Sequence, residues 1–339
     1  MGDGVVFDPR LEMLADRIRR DRGTHVHGGI GDCGLARLLD GLDQTGRTRW
    51  GTHRAIVPPL PTVTGSPART VRALLTAVLL TVAGCGAAAP AAPGPTTAPP
   101  TVPTLRPEVL AELPHDPSAF TQGFEIDDGV LYEGTGLEGR SQLRELNPDT
   151  GAVLRSVPLP GELFGEGITV VGDRIWQLTW QDGVVLEWDR PTLTLRREIP
   201  IQGEGWGLCD DDGEPSDGQS GRLVRSDGTD RLRFHDPVTF VEQGSVAVTL
   251  DGAPVDRLNE LECVDGQVWA NVWQTDRIVR IDPATGRVTA VVDAAGLLDP
   301  AQRADTDVLN GIAAVPGDDG TFLITGKLWP VTFRVRFVS

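Results

Sequence analysis

A proline-containing turn recurs four times in the C-terminal part of the chain, and its spacing constrains the fold more than any other feature. The turns begin at Asn147, Asp189, Asp236 and Asp282, which are 42, 47 and 46 residues apart. Proline shortly after Asn or Asp is typical of type I turns. Each turn follows an alternation of apolar and polar residues, which predicts a β-strand. A repeat of this length built from strands is typical of a β-propeller.

The strand count within the repeats predicts how such a ring would close. Four strands fit into each of the first four units, which begin near residues 122, 167, 205 and 259. The fifth unit begins at Asn310 and holds three, while a spare strand precedes the first unit at residues 109–113. We therefore predict an all-β, five-bladed propeller whose ring is closed by an N-terminal strand that pairs with the last blade. Closure removes the free edges of an open sheet.

The part of the chain before the repeats divides into three segments. Residues 1–62 show no sustained hydrophobic period, and residues 63–85 contain two arginines, an apolar run and a small-residue end. This pattern predicts a secretory signal. Residues 86–107 are rich in Pro, Ala and Thr, which favours an extended linker. Residues 108–339 would then form the propeller domain.

The signal segment ends in Val82-Ala83-Gly84-Cys85, which resembles a bacterial lipobox, in which the cysteine is lipidated after cleavage. We expect an exported, extracytoplasmic protein whose one membrane contact would be a lipid anchor at Cys85. Because a signal belongs at a true N-terminus, we interpret residues 1–62 as an upstream extension from a start codon assigned too early. The alternative is that residues 73–85 form a buried helix of a genuine N-terminal domain.

Charge and metal-ligand content exclude several classes of function. Residues 1–85 carry 11 Arg against 8 acidic residues, which is a net charge of +3. The whole chain has a net charge of −17, so residues 86–339 carry −20. Such an acidic domain repels nucleic acid. Three of the five histidines lie upstream of residue 85, so we expect no metal site and no cofactor. Cys209 and Cys263 are either two small buried residues or a disulfide between neighbouring repeats, which export would permit.

One carboxylate and several polar or aromatic residues occupy the start of the first strand in each repeat. In a propeller these strands line the central channel, so their first residues face one mouth. Glu166, flanked by Gly165 and Gly167, is the ionisable member of this set, and burial beside Phe164 would raise its pKa. The other members are Gln122, Trp206, Asn259 and Asn310.

The second strand of each repeat returns toward the same mouth. Trp180 and Trp273 each lie 14 residues after the first-strand residue of their repeat, and Lys327 lies 17 residues after Asn310. Lys327 is the only lysine among 31 basic residues. Its ammonium group offers three rotatable donors, which a guanidinium does not replace. Trp176, Trp188 and Trp269 lie in strand interiors, where we expect them to pack between blades.

The repeat motifs together resemble the glutaminyl-peptide cyclotransferase family of plant latex and bacteria. The resemblance covers residues 113–338 in order. It rests on segments that include Phe120-Thr121-Gln122-Gly123, Phe164-Gly165-Glu166-Gly167, Gly205-Trp206-Gly207, Leu258-Asn259-Glu260, Leu309-Asn310-Gly311 and Gly326-Lys327-Leu328-Trp329. It implies a five-bladed propeller that cyclises an N-terminal glutaminyl residue to pyroglutamate and releases ammonia. An insertion at residues 215–221 departs from the family pattern.

The resemblance also implies roles for individual residues. Glu166 would be the acid/base, and Gln122, Asn259 and Lys327 its polar partners. Phe120, Phe164, Trp180, Trp206 and Trp273 would form the walls of the substrate site. We expect a monomer acting on peptide and protein N-termini that begin with Gln. Two alternatives remain: a non-catalytic envelope propeller that binds peptides or glycans, and another propeller hydrolase such as a metal-dependent lactonase.

Overall fold

The computed structural model describes residues 101–211 and 221–339. The predictions for the upstream extension, the signal segment and Cys85 lie outside the described residues, as does most of the predicted insertion. No helix among the described residues is long and apolar enough to cross a membrane.

The described residues form an all-β fold of several sheets. The first strand is β1 (Thr104–Pro114). Three four-stranded antiparallel sheets follow: β2 (Thr121–Asp127), β3 (Val130–Thr135), β4 (Gln142–Leu146) and β5 (Val153–Pro158); β6 (Gly165–Val171), β7 (Arg174–Thr179), β8 (Val184–Asp189) and β9 (Thr194–Pro200); and β10 (Leu208–Asp211), β11 (Arg222–Arg225), β12 (Arg231–His235) and β13 (Glu242–Ala247).

The remaining strands belong to one ten-stranded sheet. They are the short hairpin β14 (Thr249–Leu250) and β15 (Ala253–Pro254); β16 (Leu258–Val264), β17 (Gln267–Val272), β18 (Arg277–Asp282) and β19 (Arg287–Asp293); and β20 (Leu309–Ala314), β21 (Thr321–Gly326) and β22 (Val331–Val338). A short 3-10 helix spans Arg303–Asp305. The β14–β15 hairpin is not among the strands predicted from the sequence.

The recurring turns connect the third and fourth strands of four units. In the first, Asn147 Oδ1 accepts hydrogen bonds from the backbone N–H groups of Asp149 and Thr150. In the third, Asp236 Oδ1 accepts them from Val238 and Thr239 in the same way. A short side chain that bonds to the backbone two and three residues later fixes a tight turn. The local chemistry of these turns therefore sets the period of the strands.

β1 joins the two ends of the strand-rich region. It pairs antiparallel with β22, from Arg106 opposite Val338 to Pro114 opposite Val331, as the sequence predicted. It also pairs parallel with β19 at Thr104, which links two four-stranded groups into the ten-stranded sheet. β1 begins four residues before the predicted domain boundary at residue 108. The proline content of residues 86–107 suggested a linker, but its last four residues, 104–107, belong to β1.

The first strands of the units contact one another in a closed cycle, from β2 to β6, β10, β16, β20 and back to β2. Burial falls outward from this cycle: β6 and β7 are almost wholly buried, whereas β5 and β13 are mostly exposed. Trp176, Trp188 and Trp269 are buried in the apolar clusters between these strands, which confirms their prediction as packing residues.

Two adjacent first strands are also joined covalently. Cys209 of β10 and Cys263 of β16 form a disulfide across 54 residues of sequence. The structure thus decides between the two alternatives that the sequence left open. β10 itself begins at Leu208 rather than at the predicted Gly205. The reason is that the N–H of Gly205 bonds to the carbonyl groups of Thr179 and Trp180 in the preceding sheet.

Candidate active site

Four polar residues predicted to share a site lie in irregular positions of four first strands. The ladder between β2 and β3 shifts register at Gln122, and the ladder between β6 and β7 shifts at Glu166. The same shift occurs at Asn259 in β16 and at Asn310 in β20. Bulges of this kind redirect a side chain out of the regular pleat and are frequent beside active sites.

Close approach between neighbouring first strands explains the glycines that accompany these bulges. The N–H of Gly167 donates a 2.8 Å hydrogen bond to Trp206 O, and a Cβ at position 167 would lie 2.7 Å from that oxygen. A Cβ at position 123 would lie 2.5 Å from Ile168 N. Any larger residue would push the strands apart. Gly123 and Gly167 therefore hold the strands that carry Gln122 and Glu166 in contact.

Hydrogen bonds link three of the four residues across three units. Asn310 Nδ2 donates to Gln122 Oε1 at 3.3 Å and to the carbonyl oxygen of Thr121 at 2.9 Å. Gln122 Nε2 in turn donates to Glu166 Oε1 at 3.0 Å. Asn310 therefore fixes which end of the Gln122 amide faces Glu166, and Gln122 fixes the orientation of the carboxyl group.

The Glu166 carboxyl group is only 4% exposed. Burial raises its pKa well above its ordinary value, Lys327 opposes that shift, and Glu204 adds to it. Burial likewise lowers the pKa of Lys327, against the attraction of Glu166 and Asp307. Both shifts follow from desolvation, which disfavours the charged form of each group. Glu166 is thus a carboxyl group that holds its proton to a higher pH than an exposed carboxyl group does.

Lys327 reaches the site from the end of β21. Its N–H donates to Val308 O at 3.0 Å, and the N–H of Leu328 donates to Ala119 O at 2.7 Å. These bonds tie the segment to the residue before Phe120, whose ring centroid lies 4.9 Å from Lys327 Nζ. An ammonium group over an aromatic face is a cation–π contact. Lys327 is 5% exposed, so the contact is sheltered from water.

The predicted aromatic walls form a nearly continuous series of contacts. Phe120 meets Phe164 edge-on at 6.1 Å between ring centroids, and Phe164 meets Trp180 at 5.4 Å. Trp206 meets Trp273 edge-on at 5.5 Å. These separations are those of favourable aromatic pairs. Phe120, Phe164, Trp180 and Trp206 are each less than 9% exposed, and Trp273 is half-buried.

Glu204, for which no role was predicted, links Trp180 to Trp206 and so joins the two parts of the aromatic series. Its Oε2 accepts a 2.9 Å hydrogen bond from Trp180 Nε1 and another of 2.9 Å from Trp206 Nε1. Its Oε1 accepts one from Gln181 Nε2 at 2.7 Å. Glu204 therefore sets the orientation of two indoles. The signal in the sequence was its place directly before Gly205 and Trp206.

Asn259 adjoins this group through its backbone. Its carbonyl oxygen accepts a 2.7 Å hydrogen bond from Ser226 Oγ and lies directly against Gly207, the residue after Trp206. Hydrogen bonds thus join Gln122, Glu166 and Asn310. Ring contacts, together with the hydrogen bonds to Glu204, join Lys327 and the five aromatic residues, and the backbone of Asn259 lies beside Gly207.

Three buried oxygen atoms of the site accept no hydrogen bond from the described residues. Glu166 Oε2, Asn259 Oδ1 and Asn310 Oδ1 are buried and have no hydrogen-bond partner among the described residues. Leaving such an oxygen without a donor costs about 1–3 kcal/mol. A ligand that brings several N–H groups would satisfy them. Within the described ranges, no group of three His, Cys, Asp or Glu residues is placed to hold a metal ion.

Comparisons with known proteins agree on one family. The family model "Glutamine cyclotransferase" matches residues 77–337. A glutaminyl-peptide cyclotransferase of Arabidopsis thaliana is 38% identical over 235 residues, which are 68% of this chain and 70% of the relative. The crystal structure of Myxococcus xanthus glutaminyl cyclase superposes with a TM-score of 0.62 at 38% identity and covers 70% of this chain and 99% of its own.

Proposed function

The chain belongs to the glutamine cyclotransferase family, and on that premise we propose that it is a glutaminyl-peptide cyclotransferase. Its reaction converts the N-terminal glutamine of a peptide or protein into pyroglutamate and releases ammonia. The observation that carries this proposal is the buried Glu166 carboxyl group, whose pKa is raised and whose Oε2 has no donor among the described residues.

The substrate supplies the donors that the site needs. An N-terminal glutamine carries an α-amino group and a γ-carboxamide, and both bear N–H groups that can bond to buried acceptor oxygens. Asn259 Oδ1 and Asn310 Oδ1 are such acceptors, in addition to Glu166. Phe120, Phe164, Trp180, Trp206 and Trp273 would enclose the two methylene groups of the side chain. Restricting the conformers brings the amine toward the carboxamide, which is mainly an orientation problem.

Proton transfer requires one carboxyl group. The α-amine forms a bond to the carboxamide carbon and loses a proton, and the leaving nitrogen gains a proton as its bond to that carbon breaks. Glu166 accepts the first proton and supplies the second, so its protonation state is unchanged over the cycle. A carboxylate with an α-ammonium group and a carboxylic acid with a free amine carry the same total of protons. The acid and amine pair releases ammonia and the carboxylate and ammonium pair releases ammonium, so Glu166 returns to its starting form in both cases. We propose that no metal ion takes part.

Charge develops on the carboxamide oxygen as the new bond forms. The charge of Lys327 acts on Glu166, since each of the two groups shifts the pKa of the other. We assign to Lys327 and to the amide of Asn259 the stabilisation of this oxygen. Fixed donors in a site sheltered from water are worth more than in solution.

We further propose that the sheets form a five-bladed propeller. The closed cycle of contacts between β2, β6, β10, β16 and β20 supports five units around one axis. β1 would supply the fourth strand of the last blade, beside β22. This arrangement would place the first-strand residues at one mouth of the central channel.

Export of the protein is a separate proposal. The Cys209–Cys263 disulfide supports it, because disulfides persist in oxidising compartments. Under this proposal the chain is cleaved between Gly84 and Cys85, and Cys85 becomes the lipidated first residue. Mass spectrometry of the native N-terminus tests both points, and peptides from residues 1–60 in the mature protein would contradict them.

An ammonia-release assay tests the activity directly. A dipeptide that begins with Gln should release ammonia, and the same peptide with an acetylated α-amine should not, because the nucleophile is blocked. Activity that a chelator leaves unchanged supports the metal-independent route, whereas loss of activity with a chelator contradicts it. Binding of the peptide without ammonia release would instead indicate a non-catalytic binding protein.

A further inference from the structure

A cavity of about 280 Å³ lies beside Phe120, and the mechanism above does not use it. Its lining includes Phe120, Gly136, Arg140, Gln142 and Arg144. Phe120 therefore belongs both to this cavity and to the aromatic series that leads to Glu166. Gly136 and Arg140 come from the loop between β3 and β4.

Hydrogen bonds hold this loop against the candidate active site. The N–H of Gly136 donates to Phe120 O at 2.8 Å, and the N–H of Gly165 donates to Ser141 Oγ at 2.9 Å. A Cβ at position 136 would lie 2.5 Å from the ring of Phe164. One end of the loop is thus anchored to Phe120 and the other to Gly165, the residue before Glu166, so the cavity has a fixed position relative to the proposed chemistry.

The two arginines of the cavity differ in their surroundings. Arg144 Nη1 donates to Asp116 Oδ2 at 2.9 Å and lies 3.5 Å from Glu133 Oε2, so its charge is already compensated. Arg140 is exposed, and its guanidinium group forms no hydrogen bond or ion pair with any described residue. The carboxyl group of Glu162 lies against Gly139, and within the described residues it forms no ion pair with this guanidinium. Arg140 is therefore an uncompensated cation at the edge of the cavity.

We infer that Arg140 and this cavity form the subsite for the residue that follows the N-terminal glutamine, and that the subsite favours a carboxylate. The inference rests on the proposed function. Cyclisation leaves the peptide bond after glutamine intact, so the rest of the chain must leave the aromatic enclosure by a neighbouring depression. The carboxylate can come from an acidic side chain at the second position or from the C-terminus of a dipeptide. A guanidinium pairs with either one.

Four substrates separate these sources. They are Gln-Gly-amide, which has no carboxylate; Gln-Gly, which has a terminal one; Gln-Glu-amide, which has a side-chain one; and Gln-Lys-amide, which has the opposite charge. For the wild-type protein we expect kcat/KM to be about 3–10-fold higher for at least one carboxylate substrate than for Gln-Gly-amide, the range of a partly exposed charged hydrogen bond. The carboxylate substrate that has the higher kcat/KM shows whether the subsite binds a C-terminal or a side-chain carboxylate.

Arg140→Gln should remove this preference and leave kcat/KM for Gln-Gly-amide within about twofold, and Arg140→Glu should favour Gln-Lys-amide. Arg287→Gln, which removes an exposed arginine elsewhere, is the matched control and should keep the preference. Equal turnover of all four substrates by the wild type, or a preference that survives in Arg140→Gln, would overturn the subsite while the cyclotransferase activity stands. No turnover of any peptide, Gln-Gly-amide included, would overturn both.

Discussion

Gln122 donates a 3.0 Å hydrogen bond to Glu166 across two neighbouring first strands. The bond occupies one oxygen of a buried carboxyl group and leaves the other, Oε2, without a partner among the described residues. Gln122 is itself held by Asn310. The carboxyl group is thus oriented by three units of the fold at once, which is a property expected of a group that transfers protons between fixed positions.

The charge of Lys327 should be visible in the pH dependence of the reaction. Lys327 lowers the pKa of Glu166, against the larger effect of burial. Lys327→Met removes that effect, so the limb of the kcat/KM profile that reports Glu166 should move to higher pH. Lys327→Arg keeps the charge and should shift the limb less. The limb set by the substrate amine, with a pKa of about 8, should stay in place in both variants, and an unmoved Glu166 limb in Lys327→Met would contradict the assignment.

Glu204 should act on the same limb in the opposite direction. Its negative charge raises the pKa of Glu166, so Glu204→Gln should move the limb to lower pH. The indoles of Trp180 and Trp206 also lose their shared charged acceptor. We expect KM to rise about 3–10-fold, because a charge-assisted hydrogen bond is roughly twice as strong as a neutral one. Steady-state kinetics and intrinsic tryptophan fluorescence measure the two effects. An unchanged KM with unchanged fluorescence would show that Glu204 does not orient the indoles.

The disulfide should stabilise the fold without taking part in the reaction. It closes a loop of 54 residues between β10 and β16, and a crosslink of this kind contributes about 2–4 kcal/mol. For a domain of this size, reduction should lower Tm by ~4–16 °C. The double variant Cys209→Ser/Cys263→Ser should show the lowered Tm with no further response to reductant. A double variant with the same Tm as the oxidised wild type would contradict this contribution to stability.

Burial of Glu166 should make part of the stability depend on pH. A carboxyl group whose pKa is raised on folding contributes stability below its unfolded pKa of about 4.5, and that contribution is lost as pH rises toward the folded value. Glu166→Gln has no such loss. The difference in Tm between Glu166→Gln and the wild type should therefore increase in favour of the variant from pH 5 to pH 8. A difference that stays constant or decreases would contradict a loss of stability on ionisation of the buried Glu166 carboxyl group.

Local features of the sequence predicted the parts of the fold that depend on local chemistry. The Asx turn at Asn147 and the alternation in each strand involve residues close in sequence, so their period could be read directly. The positions of Glu166 and Trp180 at the ends of one hairpin followed from the same alternation. Gln122, Glu166 and Asn310 are hydrogen-bonded to one another because they occupy corresponding positions in the first strands of three units.

The features that the sequence did not predict depend on contacts between units. The bulge at Glu166 arises where Gly167 meets Trp206 O, 39 residues away. The hydrogen bond that Trp180 Nε1 donates to Glu204 joins two neighbouring units, and no period in the sequence relates these two residues. The pairing of Thr104 with β19 likewise depends on a strand nearly 190 residues later. Short-range patterns do not specify such pairs, because the unit that supplies the partner is fixed only once the sheets are assembled.

The turnover number of Glu166→Gln tests the central claim most directly. The substitution keeps the shape and the hydrogen bond to Gln122 while it removes the group that exchanges protons, so kcat should fall by at least ~10². Glu198→Gln, which changes an exposed carboxylate on β9, is the matched control and should keep wild-type kcat. A Glu166→Gln protein that folds as the wild type does and cyclises N-terminal glutamine at a near-wild-type kcat would contradict the assignment of Glu166 as the proton carrier.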